Sequence, residues 1–554
     1  MERRVILAIV LMLIVAIAPS LIWPPKPADR RTGGPVDSTP TQPPVTEPTP
    51  VVVSPSARPP VRPSAEPAET VWVTSPLYRL GFSTRGGRFV SAQLLQYHSF
   101  APGDSAERVQ LVPVGQPFLV HRLIATGGAD TISLAEWSFR PSAPAVEVRG
   151  PATLQFEAER AGARITLEYR FVPDEYRFAV RGTVAGLGGT GAVLVIGLAD
   201  GLRSVEADSV DDYRHYAVVT KASKTERTDF SSLDPGERAV LEGPFEWVGV
   251  KSKYFLTAAL ALEEGEPKFG GAIAVGGPRA GKAATRAAVA LTLPVPPAGG
   301  FRYQVYVGPL EYRHLARVGH RLDDANPYGW IFRPIIQPVS VFVVTILLWM
   351  HEQLNLAYGW VLILFGVVVR ILLWPLNQKA MESGIRMQAV APIIKEAQDR
   401  YKTDPERLQR EMLRIYKEHK VNPFGGCLPM LLPMPVLLAL FFVFANTIEF
   451  RGVPFLWLPD LSRHDPYYII PVAMGLSMYG LSKVGQIGVP PNPQMKMMLY
   501  FMPIFMTVLF LNFASGLNLY YAAQNIFSIP QQYLIAKRRL REAPVPRGGG
   551  PTKT

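Results

Sequence analysis

The stretch GWVLILFGVVVRILLWPL, residues 359–376, is apolar enough for a membrane helix but carries one cation, Arg370. The surrounding apolar segment runs from Leu356 to Leu376, a length that suits a bilayer core about 30 Å thick. A charge near the middle of such a helix costs roughly 2.5–3.5 kcal/mol on insertion scales. The sequence therefore predicts a membrane protein whose function depends on what offsets this cost.

Five further apolar segments are predicted to span the membrane: 5–23, 428–447, 467–483, 497–513 and 516–534. The first follows the basic start MERR and exceeds the core length of a cleaved signal peptide, so we interpret residues 1–23 as a retained signal anchor. Residues 356–534 would form a five-span core. Segment 326–355 is interrupted by prolines and charges, and there we predict an amphipathic helix along the membrane surface.

Basic residues predict the orientation. The loop 377–427 carries ten Lys/Arg against seven Asp/Glu, the tail 535–554 six against one, and the loop 448–466 only two against three. Because Lys and Arg accumulate in cytoplasmic loops, we expect both termini in the cytoplasm, with 24–335 on the outer side. This distribution assigns much of the net charge of +12 to membrane orientation.

The outer part divides into a tether and a folded domain. Residues 24–70 contain fourteen prolines, a composition that favours extended chain and buries no core. From 71 to 325 the pattern alternates, as in ITLEYRFVP at 165–173, which predicts half-buried antiparallel strands in a β-sandwich. The chain has one cysteine, Cys427, so this domain contains no intrachain disulfide and must be held by packing.

The cytoplasmic segment 378–426 is predicted to form a hairpin of two amphipathic helices. One apolar stripe comprises Ile385, Ala389, Ile393 and Ala397, and the other comprises Leu408, Met412, Ile415 and Tyr416. Thr403 to Glu406 is typical of a helix start, with an acid after the cap and proline in the first turn. The outer face of the hairpin is basic, which is equally typical of an ordinary solvated surface.

Two glycine-rich stretches resemble nucleotide-binding motifs but lack the required context. GLGGTG at 186–191 precedes a strand-like run, so we interpret it as a hairpin turn. The segment from Gly276 to Lys282 ends in Ala283, which offers no hydroxyl for Mg²⁺. Asp323 and Asp324 are interpreted as solvated acids, and no metal-ligand or catalytic pattern is legible. We therefore expect a protein that is not an enzyme, with no cofactor, metal or nucleotide.

Arg370 has no evident acidic partner, because the later spans contain no Asp or Glu except Glu449 at the outer edge of the third. The guanidinium could snorkel to the inner headgroups. The functional hypothesis is that it lines a water-filled groove open to the cytoplasm and to lipid. The sixth span adds polar groups, and the fifth is rich in Met and Phe, which adapt to varied apolar partners. For the methionines alone, ordinary core packing is favoured.

At this point the sequence resembles a known family. Arg370 in the second span, the charged hairpin, and the motifs VNPFGGCLPMLLPMP (421–435), DPYYIIPVAMG (465–475) and SGLNLYYAAQN (515–525) resemble bacterial members of the YidC/Oxa/Alb insertase family. WVGVKSKYF (247–255) and YVGP (306–309) in the outer domain extend the likeness to the long form with a periplasmic domain.

The resemblance implies an inner-membrane insertase that inserts and helps fold new membrane proteins, alone or with the Sec translocon. Its implied partners are nascent membrane proteins, the Sec translocon, the lipid bilayer and, through the hairpin and basic tail, the ribosome. By the same likeness, the substrate groove comprises Arg370, Gly366, Asn518, Tyr520, Tyr521 and Gln524. The hydrophobic slide comprises Leu432, Met434, Leu437, Phe441, Met502, Phe505 and Met506. At two positions this sequence differs from the family: Pro433 stands where relatives often carry a glutamine, and Gly366 where some carry a threonine.

Two other classes stay open on residues alone. A solute transporter or channel could use Arg370 as an anion site, but we see neither the repeated halves nor the further intramembrane charges that this class favours. A binding module anchored by its membrane helices is the third reading. One anchor would suffice for it, so six predicted spans argue against it.

Overall fold

The computed structural model describes residues 68–104, 107–125, 131–160, 162–186, 191–326, 332–375, 378, 390, 393–402, 404–419, 434–488 and 493–542. Several sequence predictions lie outside these ranges: the first span, the tether up to residue 67, Leu432, Cys427, most of the motif at 421–435, and the tail beyond 542. By its internal contacts, the chain from Glu69 onward forms one unit.

The outer domain is built of short strands. In chain order they are β1 Thr70–Thr74, β2 Tyr78–Ser83, β3 Phe89–His98, β4 Arg108–Gln110, β5 Val120–Ala125, β6 Thr131–Ser133, β7 Arg140–Pro141, β8 Ala145–Glu147, β9 Ala152–Arg160, β10 Ala163–Phe171, β11 Arg177–Ala185, β12 Ala192–Gly197, β13 Ala217–Lys221, β14 Thr225–Asp229, β15 Arg238–Phe245, β16 Trp247–Lys251, β17 Phe255–Leu260, β18 Phe269–Gly276, β19 Arg279–Ala280, β20 Ala283–Ala284, β21 Ala287–Val295 and β22 Gly300–Pro309.

These strands form three sheets and a small hairpin. The largest sheet has nine strands in the order β14-β13-β16-β17-β22-β11-β10-β9-β7. A six-stranded sheet (β15-β18-β21-β12-β5-β6) and a five-stranded sheet (β4-β3-β2-β1-β8) pack against it. The packing is direct: the His121 ring nitrogen of β5 lies 2.6 Å from the Tyr303 hydroxyl of β22, and the Phe82 ring of β2 contacts Tyr169 of β10. The predicted β-sandwich is confirmed as a β-rich domain.

Alternation along the strands creates the core. In β10, Ile165, Leu167 and Tyr169 are fully buried, while the residues between them are partly or fully exposed. One continuous cluster of buried apolar side chains joins the three sheets. The period-two pattern was therefore a correct guide to which face of each strand is inside.

Two details of the sandwich differ from expectation. β11 and β12, which flank residues 186–191, belong to different sheets, so the predicted hairpin turn is wrong and this connection crosses between layers. The strand following it was expected, and it is present. One pair, β1 with β8, is parallel rather than antiparallel. The segment after Gly276 continues as the β19–β20 hairpin, with no helix to receive a phosphate.

Helices lie mainly after the sandwich: α1 Ser209–Tyr213, α2 Tyr312–Val318, α3 Arg333–Leu354, α4 Tyr358–Leu372, α5 Pro405–Glu418, α6 Met434–Asn446, α7 Ile469–Gly485, α8 Pro493–Phe510 and α9 Ser515–Glu542. Single 3-10 turns occur at Leu134–Glu136, Phe230–Ser232, Leu322–Ala325 and Ile448–Phe450. Of the described helices, α3 alone is both long and apolar enough to cross a bilayer, and four shorter apolar segments have 10–17 residues. The helical region is confirmed, whereas the count of six spans stays a prediction.

The hairpin is seen in part. Residues 393–400 are helical, and α5 begins after Asp404, whose side chain accepts a hydrogen bond from the Arg407 backbone N–H at 3.0 Å. Ala397 and Ile415 are buried together with Val390, joined by Ile394 and Leu408. Ile393, placed in the stripe from the sequence, is instead 39% exposed. Ala397 is therefore confirmed as part of the apolar face, and Ile394 takes the place predicted for Ile393.

The basic residues of the hairpin pair with acids one turn away. Arg400 contacts Glu396, Arg410 contacts Glu406, and Arg414 contacts Glu418, all in exposed positions. Such pairs on a helix surface stabilise it by only a few tenths of a kcal/mol each. Because these ion pairs contribute so little, the main contact between the two helical segments is the apolar cluster that includes Ala397 and Ile415.

The loop between α6 and α7 docks into the sandwich. Arg451 is central: its Nε lies 2.8 and 3.0 Å from the two carboxylate oxygens of Glu206, and its Nη1 donates to the His98 carbonyl at 2.9 Å. The guanidinium also stacks over the Phe100 ring, 4.3 Å from its centroid. Ile448 belongs to the buried core of the sandwich. The outer domain and the helical region are therefore joined by a packed junction.

The motif WVGVKSKYF lies at this junction. Lys251 is fully buried and its ammonium contacts the Asn326 side-chain oxygen at 3.4 Å. Asn326 in turn donates to the backbone carbonyls of Leu310 and Asn446, each at 3.2 Å. A backbone carbonyl at the end of α6 is thus tied to the sandwich by a buried amide.

Candidate functional site: the surroundings of Arg370

Arg370 lies on the last turn of α4 and faces α9. Its Nη2 donates to the Gln531 side-chain oxygen at 2.6 Å. Gln531 is 1% exposed, whereas Arg370 is half-buried. Within the described part of the chain, no Asp or Glu forms an ion pair with Arg370. The described partner of the guanidinium is therefore neutral, and it does not compensate the positive charge of Arg370 in this half-buried position.

Sequence reasoning missed Gln531, although a signal was available. Tyr520, Gln524 and Gln531 are separated by four and seven residues, so they lie on one side of α9. That side meets α4 at Arg370. The expectation that Arg370 is either hydrated or paired with a passing group needs amending, because a resident amide already takes one of its donors.

Two buried polar atoms at this contact, Arg370 Nε and Gln531 Nε2, have no hydrogen-bond partner among the described residues. Three further unpartnered atoms of α9 lie away from it: Asn518 Oδ1 and the Tyr521 hydroxyl on residues that contact Phe510 of α8, and Gln532 Oε1 near Gly485 of α7. A buried polar atom without a partner costs about 1–3 kcal/mol. The two atoms at Arg370 therefore indicate a place that water or another polypeptide completes.

Gly366 lies at the contact between α4 and α9, where an added Cβ would still make an ordinary van der Waals contact. It precedes Arg370 by one helical turn, and a Cβ at this position would lie 3.4 Å from the Tyr520 ring. Tyr520 is 1% exposed, and its ring contacts Phe365, with centroids 6.0 Å apart. Gly366, Arg370 and Tyr520 are therefore brought together, as the predicted groove requires.

The remaining predicted groove residues point in different directions. Gln524 lies on the Arg370 side of α9 and is half-buried. Asn518 is fully buried and donates to the Phe510 carbonyl at 3.0 Å. Asn525, noted as polar from the sequence, donates to the Ser477 hydroxyl of α7 at 3.2 Å. The polar side chains of α9 therefore lie on two faces of the helix: one face contacts α4, and the other contacts α7 and α8.

The predicted slide residues are only partly gathered. Phe441 of α6 contacts Phe513, with ring centroids 5.5 Å apart, and Met506 packs on the same apolar cluster. Leu437 and Phe505 are half-buried, Met502 is 7% exposed, and Met434 begins α6. The exposed apolar stripe of α8 consists of other residues, namely Met497, Phe501, Ile504 and Val508.

Asp465 in the DPYYIIP motif was not singled out from the sequence. It is fully buried and starts α7, because its carboxylate accepts from the backbone N–H groups of Tyr467 (2.9 Å) and Ile470 (2.8 Å). The Trp457 indole also donates to it at 3.3 Å. Its role is to cap α7 and to hold the outer loop against that helix.

Comparisons with known proteins show the family of the chain. Residues 349–542 match the family model of the 60Kd inner membrane protein, and residues 70–341 match that of the YidC periplasmic domain. The membrane protein insertase YidC of Oleidesulfovibrio alaskensis is 30% identical over 97% of this chain and 99% of its own length. The YidC of Anaeromyxobacter dehalogenans is 32% identical over 87% of each chain.

A solved structure is also similar. The crystal structure of an active YidC insertase with its first transmembrane domain resolved covers 84% of this chain and 94% of its own, at 18% identity and a TM-score of 0.33. The sequence relatives define the class: an inner membrane protein with a large periplasmic β-domain, whose named activity is insertion rather than enzymatic catalysis. The chain belongs to the YidC family of membrane protein insertases.

Proposed function

We propose that this chain inserts new proteins into the inner membrane through a hydrated groove between α4 and α9, with Arg370 as its cation. The observation that supports it is the unsaturated hydrogen bonding around Arg370. One donor goes to Gln531, while Arg370 Nε and the Gln531 amide nitrogen are buried and unpartnered among the described residues. A carboxylate on a passing chain would satisfy both groups.

The energetics favour such a transient partner. The hydrogen bond from Arg370 to Gln531 has one charged member, whereas a contact with a substrate carboxylate has two charges of opposite sign. Their attraction is stronger in a partly buried place than in water, so a substrate carboxylate can displace Gln531 Oε1 from the guanidinium. No nucleotide is needed, because transfer of about twenty apolar residues into lipid is downhill. The groove lowers the barrier for the polar segment that must cross, and apolar residues of α6 and α8 receive the departing helix.

The orientation is part of the proposal. We place both termini in the cytoplasm, and α3 along the outer membrane surface rather than across the bilayer. Both ends of α3 contact the outer domain: Arg333 reaches Asp324 at 2.6 Å, and Glu352 reaches Arg313 at 2.7 Å. A 22-residue helix is about 33 Å long. If it crossed the bilayer, its two ends would lie on opposite sides.

The further partners come from family likeness and from charge. The cytoplasmic hairpin and the basic tail would meet the ribosome and the arriving chain, and insertion would run alone or beside the Sec translocon. Nothing in the comparisons favours the transporter alternative, since the relatives are named insertases.

The experiment is insertion into vesicles that contain the purified full-length protein. Two versions of a two-span substrate are compared, one with two acidic residues in its translocated segment and one with neutral residues there. We expect Arg370→Ala to slow the acidic substrate about tenfold and the neutral one far less. Arg370→Lys should retain most activity, because it keeps the charge.

The matched control is Lys496→Ala, which removes an exposed cation from the first turns of α8. It should leave both substrates unaffected. Equal insertion of the two substrates by Arg370→Ala and the unaltered protein would overturn the electrostatic role. Cysteine probes at residues 366–374 that stay unreactive from the cytoplasmic side would overturn the hydrated groove.

A further inference from the structure

The loop between α6 and α7 carries an apolar tip on the molecular surface. Residues 455–458 form a tight turn, which is closed by two backbone hydrogen bonds of 2.9 Å between Phe455 and Leu458. Phe455 and Leu458 are buried, whereas Leu456 and Trp457 between them are 68% and 38% exposed. The turn therefore packs two of its apolar side chains inside the protein and leaves the other two outside.

Leu456 has an unfavourable backbone conformation as well as an exposed side chain. Its φ of 54° lies in the left-handed region, which residues other than glycine, asparagine and aspartate rarely adopt. Backbone strain of this kind is typical of functional sites, where the surrounding structure maintains it. Here the strain accompanies a leucine that adds little to the protein core, so we looked for a partner outside the chain.

The turn is held against the outer ends of two helices. The Phe455 ring packs on Gly359 of α4 so closely that no Cβ would fit there. The same ring meets Trp360 edge to face, with centroids 5.4 Å apart. The Trp457 indole donates to Asp465, the cap of α7, at 3.3 Å. The tip is therefore anchored at the level where α4 and α7 begin.

Exposed aromatic residues lie around the tip. Trp360 is 52% exposed, and the exposed residues at the start of α7 are Tyr467, Tyr468 and Ile469. Trp and Tyr are enriched where a membrane protein passes from the hydrocarbon core to water. The composition of this surface is thus typical of a membrane interface.

The exposed part of the turn carries no charge. Asp460 and Asp465, the two acids that follow it, are buried. Within 447–468 the exposed polar side chains are those of Arg463 and His464, which come after the turn in the chain. Moving the tip into an apolar phase would therefore bury no ionised group of the turn, which is the step that would otherwise be costly.

We propose that the turn 455–458 inserts into the outer leaflet of the membrane, with Leu456 among the acyl chains and Trp457 and Trp360 at the level of the headgroups. Lipid is the occupant of this surface, because α4 and α7, whose first residues flank the turn, are spans of the proposed topology. Arg451 ties the same loop to the sandwich, so the inserted turn fixes the outer domain at the membrane surface. This inference goes beyond insertion activity and rests on the proposed orientation.

The test places an environment-sensitive fluorophore on single cysteines of the full-length protein in phosphatidylcholine vesicles. Cys427→Ala first removes the one native cysteine, and Leu456→Cys then carries the label. Quenching by nitroxide-labelled lipid is compared with quenching by iodide, which is present on both sides of the membrane. The control position is Val114→Cys, on a 94% exposed residue of the outer domain.

Burying a leucine side chain favours the apolar phase by a factor of at least about ten. We therefore expect the ratio of lipid quenching to iodide quenching to be about tenfold higher at position 456 than at position 114. Equal ratios at the two positions would overturn the proposal. That outcome would also be obtained if the turn were covered by a partner protein that the vesicles lack.

A second measurement keeps the label away from the tip. Pro459→Cys carries the fluorophore on an exposed residue next to the turn, and Leu456→Asn is added to it. Asparagine suits the left-handed backbone better than leucine, so this variant should fold while losing the apolar side chain. The quenching ratio at position 459 should fall, whereas Val114→Asn should leave it unchanged.

An unchanged ratio at position 459 in Leu456→Asn would overturn the role of the leucine. Insertion of the two-span substrates is measured on the same vesicles. An aqueous tip with normal dependence of insertion on Arg370 would refute this inference alone. A lipid-quenched tip with insertion that does not depend on Arg370 would instead refute the groove proposal alone.

Discussion

Removing Arg451 should release the loop between α6 and α7 from the sandwich. This arginine is 3% exposed and Glu206 is 12% exposed at the side chain. Deleting one partner of a buried ion pair typically costs about 3–5 kcal/mol, because the other charge is left uncompensated. The stack on Phe100 and the hydrogen bonds to the His98 and Val205 carbonyls would also be lost.

The expected cost for Arg451→Ala lies at the lower end of this range. Burial already raises the pKa of Glu206 to about 7, although Arg451 opposes the rise. Without the arginine, Glu206 can take up a proton at neutral pH rather than stay buried and charged. We therefore expect the docked state to lose about 3 kcal/mol, roughly a 150-fold change in its opening equilibrium.

Hydrogen–deuterium exchange reports this opening directly. The Phe100 N–H donates to the Val205 carbonyl at 2.8 Å, and the Leu461 N–H donates to Val453 at 3.0 Å. Exchange of peptides carrying these two amides should accelerate roughly 150-fold in Arg451→Ala. In Arg451→Lys we expect about half the free-energy change, because the charge stays but the planar fork is lost.

The internal control is Leu167 in the interior of β10, which pairs with β9 and β11 on its two sides. Its exchange should not change. If the junction amides change by less than about threefold, the clamp described for Arg451 is refuted. If Leu167 accelerates equally, the variant has unfolded globally, and Glu206→Gln combined with Arg451→Met then tests the pair by a double-mutant cycle.

Three further outcomes follow from particular contacts. Burial raises the pKa of Glu449 to about 7, above its ordinary value. The protonated carboxyl therefore stabilises the docked state below about pH 4.5, and this stabilisation is lost as the pH rises to about 7. Glu449→Gln should remove much of this pH dependence, up to ~3 kcal/mol, in the hydrogen exchange of the junction amides measured from pH 5 to 8. Gln531→Leu should keep insertion of acidic substrates within about threefold of normal in the vesicle assay, since the ion pair between a substrate carboxylate and Arg370 does not need the amide; a loss as large as in Arg370→Ala would contradict this. Asp404→Ala removes the cap of α5 and should cost about 1 kcal/mol of local helix stability. Hydrogen exchange across Pro405–Glu418 should then be roughly fivefold faster. Unchanged exchange would contradict the capping role.

The sequence allowed the local parts of the fold to be predicted well. Strand faces in the sandwich followed from alternation, because a strand with one buried face repeats every two residues. The start of α5 was predicted to within one residue, since capping is a contact within one turn: the sequence indicated a capping box that begins at Thr403, and the side chain that caps α5 is that of Asp404. In the stripe of the cytoplasmic hairpin, Ala397 was correct and Ile393 was wrong by one residue, because the sequence alone does not decide which of two adjacent apolar residues faces the partner helix.

Features that depend on distant partners were not predictable in the same way. A glycine-rich turn between β11 and β12 indicates a change of direction, but which sheet the next strand joins is decided by its hydrogen-bond partners β5 and β21. Asp324 looked like a solvated acid until Arg333, Gln337 and Thr225 were brought to it by the fold. Gln531 shares one side of α9 with Tyr520 and Gln524, which the helical spacing could have indicated, but that this side faces Arg370 depends on how α4 and α9 pack.

Arg451 and Arg370 show why the completeness of an arginine's hydrogen bonds is more informative than its burial. Arg451 is the more buried, yet an anion, two carbonyls and an aromatic ring satisfy it, so its role is to hold two parts of the molecule together. Arg370 is less buried, but its described partner is one neutral amide, and its Nε has none. A cation whose partners are already complete gains little from a visiting carboxylate, whereas one left incomplete gains a strong contact. In the proposed mechanism, the unsaturated arginine is therefore the one to which a substrate binds and from which it leaves.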